Sequence, residues 1–190
     1  MDRALLNQLN RQSRIDPEQA LIKLRVIQHV LALSDAEQKI KDLRTRGLKR
    51  EREIRQACLF CYGMSCRIGQ KVWVYPVEDS DYDCVASWEV DSTRHFAPIQ
   101  LKEVVPAHLN HEADLQAIID GLTKYPVSAD LTVAIYVNQN GRFEPSSIKL
   151  PNLSIAALWV FGTLAPDQSE WFLCGNFLET PEMISFSYPT

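Results

Sequence analysis

Glycine is scarce in this chain, with seven residues among 190. Loops that cradle phosphates or dinucleotides need glycines at fixed spacing, and neither fingerprint occurs in the sequence. The nucleophile-elbow motif of serine hydrolases is absent as well. These absences exclude the commonest signatures of nucleotide binding and of serine-based hydrolysis.

Long apolar runs are also lacking, because no stretch approaches the about 20 residues that span a membrane. The first residues, MDRALLNQLNRQSR, are polar and interrupted, which does not fit a secretory signal. We therefore expect a soluble, cytoplasmic protein without membrane contact. The hydrophobic content of 46% is typical of a folded globular chain.

Clustered metal-ligating residues are few. Cys58 and Cys61 form a single CxxC, and no second pair follows at the spacing of a zinc site. Their apolar surroundings favour packing as small hydrophobic side chains, with a metal or redox role as the alternative. His108 and His111 share a helical spacing but bring no third ligand, which favours surface or capping roles.

A basic segment, KIKDLRTRGLKREREIR over residues 39–55, contrasts with the net charge of −4. Such a segment in an acidic protein marks a nucleic-acid contact or forms the solvated face of a helix. Both interpretations stay open at this point. The cations that would contact nucleic acid are Arg44, Arg46, Lys49, Arg50 and Arg52.

The first seventy residues predict helices. Asp16-Pro17 supplies a cap and a first helical residue, and Ser34 with Glu37 forms a capping box for a second helix. A third helix is expected from about Lys49 to Cys66, before Gly69. We predict a helical N-terminal extension over residues 1–48 and an α/β domain over residues 49–190.

The later chain predicts mostly strands. Three strands are expected between residues 72 and 105, with a polar connection over 91–95, followed by an amphipathic helix over about 112–125 that ends at Pro126. Residues 131–137 read as a central strand, with a turn over 138–141. Two more strands are expected over 155–164 and 171–178, with a buried helix as the alternative for the start of the first. The tail is expected to cover the core as an extended segment. The predicted fold class is α/β, with a mixed central β-sheet flanked by helices.

Polar residues at two of these strands form the main functional signal. Asp83 opens the second strand, and the third carries Gln100-Leu101-Lys102, where alternation places Gln100 and Lys102 on one face. If the two strands are neighbours, these three side chains would hold a divalent cation and a water beside a phosphate. Structural interpretations are open too, because Asp83 suits a turn cap and the other two suit a solvated strand face.

The order helix, strand, strand, strand, helix, strand from Lys49 to Val137 resembles the core of the PD-(D/E)XK nuclease superfamily, the restriction-endonuclease-like fold. That family places an Asp at the start of its second core strand and a (D/E)-x-K tripeptide in its third, where Asp83 and Gln100-Leu101-Lys102 stand here. The chain departs from the pattern in two places: Tyr82 precedes the Asp instead of proline, and Gln100 replaces an acidic residue.

The resemblance implies metal-dependent hydrolysis of phosphodiester bonds in nucleic acid, DNA before RNA, with Mg²⁺ or Mn²⁺ as the cofactor. Asp83 and the amide oxygen of Gln100 would hold the metal, and Lys102 would act on the attacking water. The family often adds a glutamate from its first core helix, here Glu53 or Glu51 with a slight preference for Glu53, and Glu78 is a further candidate. The implied catalytic set is Asp83, Gln100, Lys102 and Glu53.

Two other functions stay open. One is a non-catalytic interaction protein that keeps a nuclease-like sheet and binds a partner through its helical N-terminus. The other is a DNA-binding module without chemistry that uses the basic helix. A homodimer is also compatible with the resemblance, because paired active sites suit the cleavage of both strands of a duplex.

Overall fold

The computed structural model describes residue 9 and residues 12–41, 43–77, 79–124, 128–139 and 141–190. Within these residues the protein has an α/β fold, as the sequence predicts, with four α-helices and a seven-stranded mixed sheet. The helices are α1 (Pro17–Leu33), α2 (Gln38–Lys41), α3 (Lys49–Ile68) and α4 (Leu115–Asp120). The strands are β1 (Trp73–Tyr75), β2 (Cys84–Val90), β3 (Thr93–Val104), β4 (Ser128–Val137), β5 (Ile155–Thr163), β6 (Glu170–Gly175) and β7 (Glu182–Ser187).

Helix α1 begins where the sequence predicts. The Oδ1 atom of Asp16 accepts hydrogen bonds from the backbone N–H groups of Glu18 and Gln19, and Pro17 takes the first helical position. Ser34 ends this helix instead of opening the next, because its backbone N–H donates to the carbonyl oxygen of Leu31. Of the predicted second helix, the described residues include α2 (Gln38–Lys41).

Helix α3 also follows its prediction, from Lys49 to Ile68, with Gly69 in the left-handed conformation at its end (φ 66°). Its second half is apolar and buried, including Cys58, Leu59 and Phe60. Burial of that half anchors the helix, and its charged first half carries the residues of interest.

Strands β2 and β3 are joined by a tight turn. Asp91 and Ser92 both have positive φ, at 48° and 64°, and β3 begins at Thr93. The polar connection predicted over residues 91–95 is therefore shorter, because residues 93–95 belong to the strand. The ring of His95 stacks on that of Trp88 across the hairpin, with 5.5 Å between centroids.

The order of strands in the sheet is β1-β2-β3-β4-β5-β6-β7. Strands β3, β4 and β5 pair in parallel, whereas β1–β2, β5–β6 and β6–β7 pair antiparallel. Helix α4 lies in the connection between β3 and β4, as a parallel crossover requires. The tail, expected as an extended cover, instead forms β7 beside β6.

Helix α4 is shorter than predicted. Asp114 caps it through a hydrogen bond to the backbone N–H of Ala117, and after Asp120 the chain continues as a 3₁₀ turn to Lys124. The predicted end at Pro126 lies outside the described residues, as does Asn140 of the predicted turn over 138–141.

The chain divides into two compact units. The first comprises Met1–Asp79, Asp83–Phe96 and Tyr188–Thr190, and the second comprises Ser80–Tyr82 and Ala97–Ser187. In the first, Ile15 pairs with Val74 of β1 and the hydroxyl of Tyr188 donates to the carbonyl oxygen of Leu21. The second is built on a core from β3–β6 and α4 that includes Val104, Ile119, Val133, Ile135, Leu158 and Val160. The domain boundary predicted at residue 49 stays a prediction.

Candidate active site

Glu53 lies in the first half of α3, on the turn that follows the start of the helix at Lys49. Its side chain is half-buried, whereas the neighbouring Glu51 is exposed. Residues two positions apart on an α-helix differ by about 200° around the axis, so they occupy nearly opposite faces. The face of α3 that carries Glu53 is the one that borders a cavity of the first unit.

Asp83 borders the same cavity. It immediately precedes β2 and is half-buried. The cavity offers about 30 Å³ to the centres of water-sized molecules, which is room for about two waters. Its polar lining consists of Glu53, Asp83, Arg50 and Cys84, and its apolar lining of Ile54, Ala57, Val74 and Pro76.

The carboxylates of Asp83 and Glu53 both affect the pKa of the Cys84 thiol. Burial raises the pKa of Cys84 far above its usual value, and the negative charges of Asp83 and Glu53 raise it further. Cys84 is therefore a neutral thiol at physiological pH and not a nucleophile, since the thiolate is the reactive form.

Two cations of α3 lie close to the lining of this cavity. The Nζ atom of Lys49 lies 3.3 Å from Oε1 of Glu53, and Arg50 lines the cavity and is exposed. Both were predicted from the sequence as nucleic-acid contacts. The arrangement sets positive side chains next to the carboxylate pair, at the surface of α3.

The other predicted cations have mixed positions. Arg44 precedes the 3₁₀ turn that leads into α3 and is half-buried, as is Arg52 on the helix itself. Arg46 lies in that turn, and its side chain is outside the described part of the structure. The basic stretch therefore forms the entry of α3 and its first two turns.

Gln100 and Lys102 lie in the second unit, on β3. They pair with Val133 and Ile135 of β4, which belong to the core cluster of that unit. Both side chains are therefore on the face of β3 that this core covers, which fits the predicted alternation. Gln100 is 9% exposed, and its Nε2 makes a long contact of 3.5 Å with the carbonyl oxygen of Leu101.

The first unit thus brings Asp83 and Glu53 together, and β3 of the second unit holds Gln100 and Lys102 on one face. Glu78, the further candidate carboxylate, lies outside the described residues. The sequence did not single out Cys84 or Pro76 as cavity-lining residues. The one sequence signal that could have identified Cys84 as a cavity-lining residue is its position directly after Asp83.

The donor set of the cavity suits a hard cation. Mg²⁺ prefers oxygen ligands and keeps several waters, so one or two carboxylates and substrate phosphates commonly hold it. Asp83 and Glu53 supply two such carboxylates, and the water-sized space beside them accommodates bound water. Among the described residues, no group of three His, Cys, Asp or Glu side chains forms a ready metal cage. Asp83 and Glu53 are the residues of this cavity that could hold a Mg²⁺ or Mn²⁺ ion.

The other candidate residues are either buried in the core or exposed at the surface. Trp171 is fully buried and Trp159 nearly so, which places both in the core. His108 and His111 are exposed in the segment before α4. Cys58 and Cys61 are buried in α3, and burial raises the pKa of Cys58 to about 12.

No helix within the described ranges has the length and apolar character that crossing a bilayer requires. Comparison of the chain with protein-family models, with curated proteins and with solved structures gives no match.

Proposed function

We propose that this protein is a metal-dependent nuclease of the PD-(D/E)XK type, which hydrolyses phosphodiester bonds in nucleic acid. The observation that carries the proposal is the cavity lined by both Glu53 and Asp83, with Arg50 at its edge. The succession α3, β1, β2, β3, α4, β4 supports a restriction-endonuclease-like core, because it is the element order of that family.

Each residue of the cavity has a role in this proposal. A bound Mg²⁺ or Mn²⁺ would polarise a phosphate and lower the pKa of a coordinated water. The carboxylates of Asp83 and Glu53 would hold that ion, and Ile54, Ala57, Val74 and Pro76 form the apolar part of the cavity wall. The resemblance assigns the amide oxygen of Gln100 to the same ion and the ammonium of Lys102 to the attacking water. The roles of these two residues stay predictions.

The basic stretch supplies the affinity for the substrate. Arg44, Arg46, Lys49, Arg50 and Arg52 precede or share the turns of α3 that carry Glu53. Cations of this kind neutralise backbone phosphates and release counter-ions, so affinity falls steeply as salt concentration rises. We therefore expect DNA to bind at this end of α3, with a clear salt dependence.

Cleavage assays with single- and double-stranded DNA and RNA, in Mg²⁺, Mn²⁺ or EDTA, test the proposal. We expect metal-dependent cleavage that falls by about 100-fold or more in Asp83→Asn and in Glu53→Gln, because each removes a ligand charge. Glu51→Gln is the matched control, since it makes the same charge change on the exposed face of the same helix. Lys102→Ala and Gln100→Ala test the two residues of β3 in the same assay.

Activity that survives both Asp83→Asn and Glu53→Gln would contradict the proposed site. An equal loss in Glu51→Gln would show that the helix tolerates no charge change there, and would also count against the assignment. Calorimetric titration with Mn²⁺ adds a readout that is independent of the substrate, and heat of binding is expected only while both carboxylates are present.

An apolar stripe on α1 favours a second candidate function, a non-catalytic interaction protein. Val26, Ile27, Val30 and Leu33 recur at helical spacing and are 61%, 53%, 64% and 91% exposed. A contiguous exposed apolar surface of this kind is typical of protein contacts. Absence of both cleavage and Mn²⁺ binding in the wild-type protein would favour this function over the nuclease.

A further inference from the structure

Lys49 contacts one of the two carboxylates of the cavity. Its Nζ lies 3.3 Å from Oε1 of Glu53, four residues further along α3. The lysine side chain is 63% exposed, whereas that of Glu53 is 24% exposed. The ammonium group is therefore accessible to solvent. It contacts a carboxylate that a metal ion in the cavity would need as a ligand.

The position of this ion pair makes it weak. Lys49 is the first residue of α3, where the helix dipole favours anions over cations. A lysine that precedes a glutamate by four residues is also the less favourable orientation of such a pair. Because the lysine is largely exposed, water and salt screen the attraction further. Because the ion pair is weak, a divalent cation can displace the ammonium of Lys49 from Glu53 with little loss of free energy.

We propose that Lys49 is an exchangeable counter-ion of Glu53, displaced when a divalent metal ion binds, and that the displaced ammonium then contacts a phosphate of the nucleic acid. The inference rests on the proposed function, because it takes Glu53 as a metal ligand. Arg50, at the edge of the same cavity, is the second cation of this phosphate contact. Metal and nucleic acid then strengthen each other's binding by the same factor.

A calorimetric Mn²⁺ titration of the full chain measures the first half of the proposal. Lys49→Met removes the competing ammonium, and Arg52→Met removes one positive charge from the same helix without touching that ion pair. We expect Lys49→Met to lower the Kd for Mn²⁺ by about five-fold relative to Arg52→Met, because a unit charge a few ångströms from the ion is lost. Equal Kd values in the two variants would overturn the proposal.

A DNA-binding measurement without metal tests the second half. Glu53→Gln removes the carboxylate that Lys49 contacts, and Glu51→Gln makes the same charge change on the exposed face of α3. In EDTA, which prevents cleavage, Glu53→Gln is expected to bind a fluorescein-labelled DNA duplex at least about two-fold more tightly than Glu51→Gln. The difference is expected to vanish when both variants also carry Lys49→Met.

The outcomes separate this inference from the proposed function. Mn²⁺ binding that requires Asp83 and Glu53 but does not respond to Lys49→Met would overturn the inference and leave the metal site in place. Failure of every variant to bind Mn²⁺ would overturn both. Thermal melting followed by circular dichroism confirms that each variant is folded, so that a lost interaction is not lost structure.

Discussion

At the scale of single residues, Glu51 and Glu53 are close in sequence but differ in their surroundings. Glu53 borders the cavity with Asp83, whereas Glu51 is exposed. The sequence offered both as the carboxylate of the first core helix and gave little reason to choose. Only the rotation of α3 against its neighbours decides which of two residues about 200° apart points inward.

Gly175 is a residue whose substitution has a predictable structural cost. Its φ of 153° is one that L side chains rarely adopt, and a Cβ atom there would lie 2.7 Å from the Trp159 side chain and 2.8 Å from the carbonyl oxygen of Leu158. We expect Gly175→Ala to lower the free energy of unfolding by about 2–3 kcal/mol, through strain and overpacking. Urea denaturation followed by tryptophan fluorescence measures this change in the free energy of unfolding.

Gly121 provides the matched control in the same unit. Its φ of −67° suits any residue, and an added Cβ atom meets nothing within 4 Å. Gly121→Ala is expected to be neutral or to stabilise by up to about 1 kcal/mol, because it restricts the unfolded chain. Equal effects of the two substitutions would contradict the close packing described around Gly175.

At the scale of elements, the start of α1 is held by charge as well as by capping. The Nζ of Lys71 lies 2.6 Å from Oδ2 of Asp16, the residue that caps the helix. Partial burial acts to raise the pKa of Asp16, but the hydrogen bonds from Lys71 and from the helix N–H groups outweigh it, so the pKa is lowered. The ionised carboxylate is thus stabilised in the folded state.

The lowered pKa of Asp16 gives a pH-dependent stability. The pKa of an aspartate in an unfolded chain is about 3.9. The contribution is complete above that pH, and it is lost as the pH falls through the lower value of the folded state. We expect Asp16→Ala to lower the free energy of unfolding by about 1 kcal/mol at neutral pH, and to have a smaller effect under acid.

Asp16→Asn isolates the charge, since asparagine caps helices as well as aspartate does. The Asn variant is expected to keep most of the stability at neutral pH and to lose less than the wild type on acidification. Thermal melts across the acid range compare the three proteins. A wild-type profile that runs parallel to that of Asp16→Asn would contradict the role of the Lys71 ion pair.

The turn between β2 and β3 shows where local sequence misled at this scale. Asp91 and Ser92 both adopt positive φ, which is unfavourable for residues other than glycine. Their polar character suggested a longer loop. Pairing of the flanking strands compensates for the strain in the turn, and that pairing is not visible in the two turn residues themselves.

At the scale of the whole molecule, burial controls the reactivity of the five cysteines. Cys66 is exposed, and the other four, Cys58, Cys61, Cys84 and Cys174, are buried as free thiols. Burial raises the pKa of Cys58 to about 12 and that of Cys61 well above its usual value, so these sulfur atoms stay protonated. Their protection reports on the integrity of the folded chain.

Thiol titration with Ellman's reagent tests this protection. We expect one thiol to react faster than the others in the native protein and all five to react in urea, because Cys66 is exposed and the other four are buried. The Cys66→Ser variant is expected to lose the fast reaction and to keep the four slow ones. Several fast thiols in native buffer would contradict the burial of Cys58, Cys61, Cys84 and Cys174.

The sequence by itself determined the local features of this protein. The caps at Asp16 and Gly69, the helical period of α3 and the alternation through Gln100 and Lys102 depend on residues within a few positions of one another. These signals were sufficient for the α/β class, for the start of α1, for the bounds of α3 and for the strands that carry the predicted motif.

Tertiary structure decided what lies far apart in the chain. The meeting of Glu53 with Asp83, thirty positions later in sequence, depends on how α3 packs on β1 and β2. The strand β7 exists because its backbone completes hydrogen bonds along β6, a partner that no local pattern reveals. Burial and pairing are properties of the folded chain, and they select one arrangement from several that the local sequence allows.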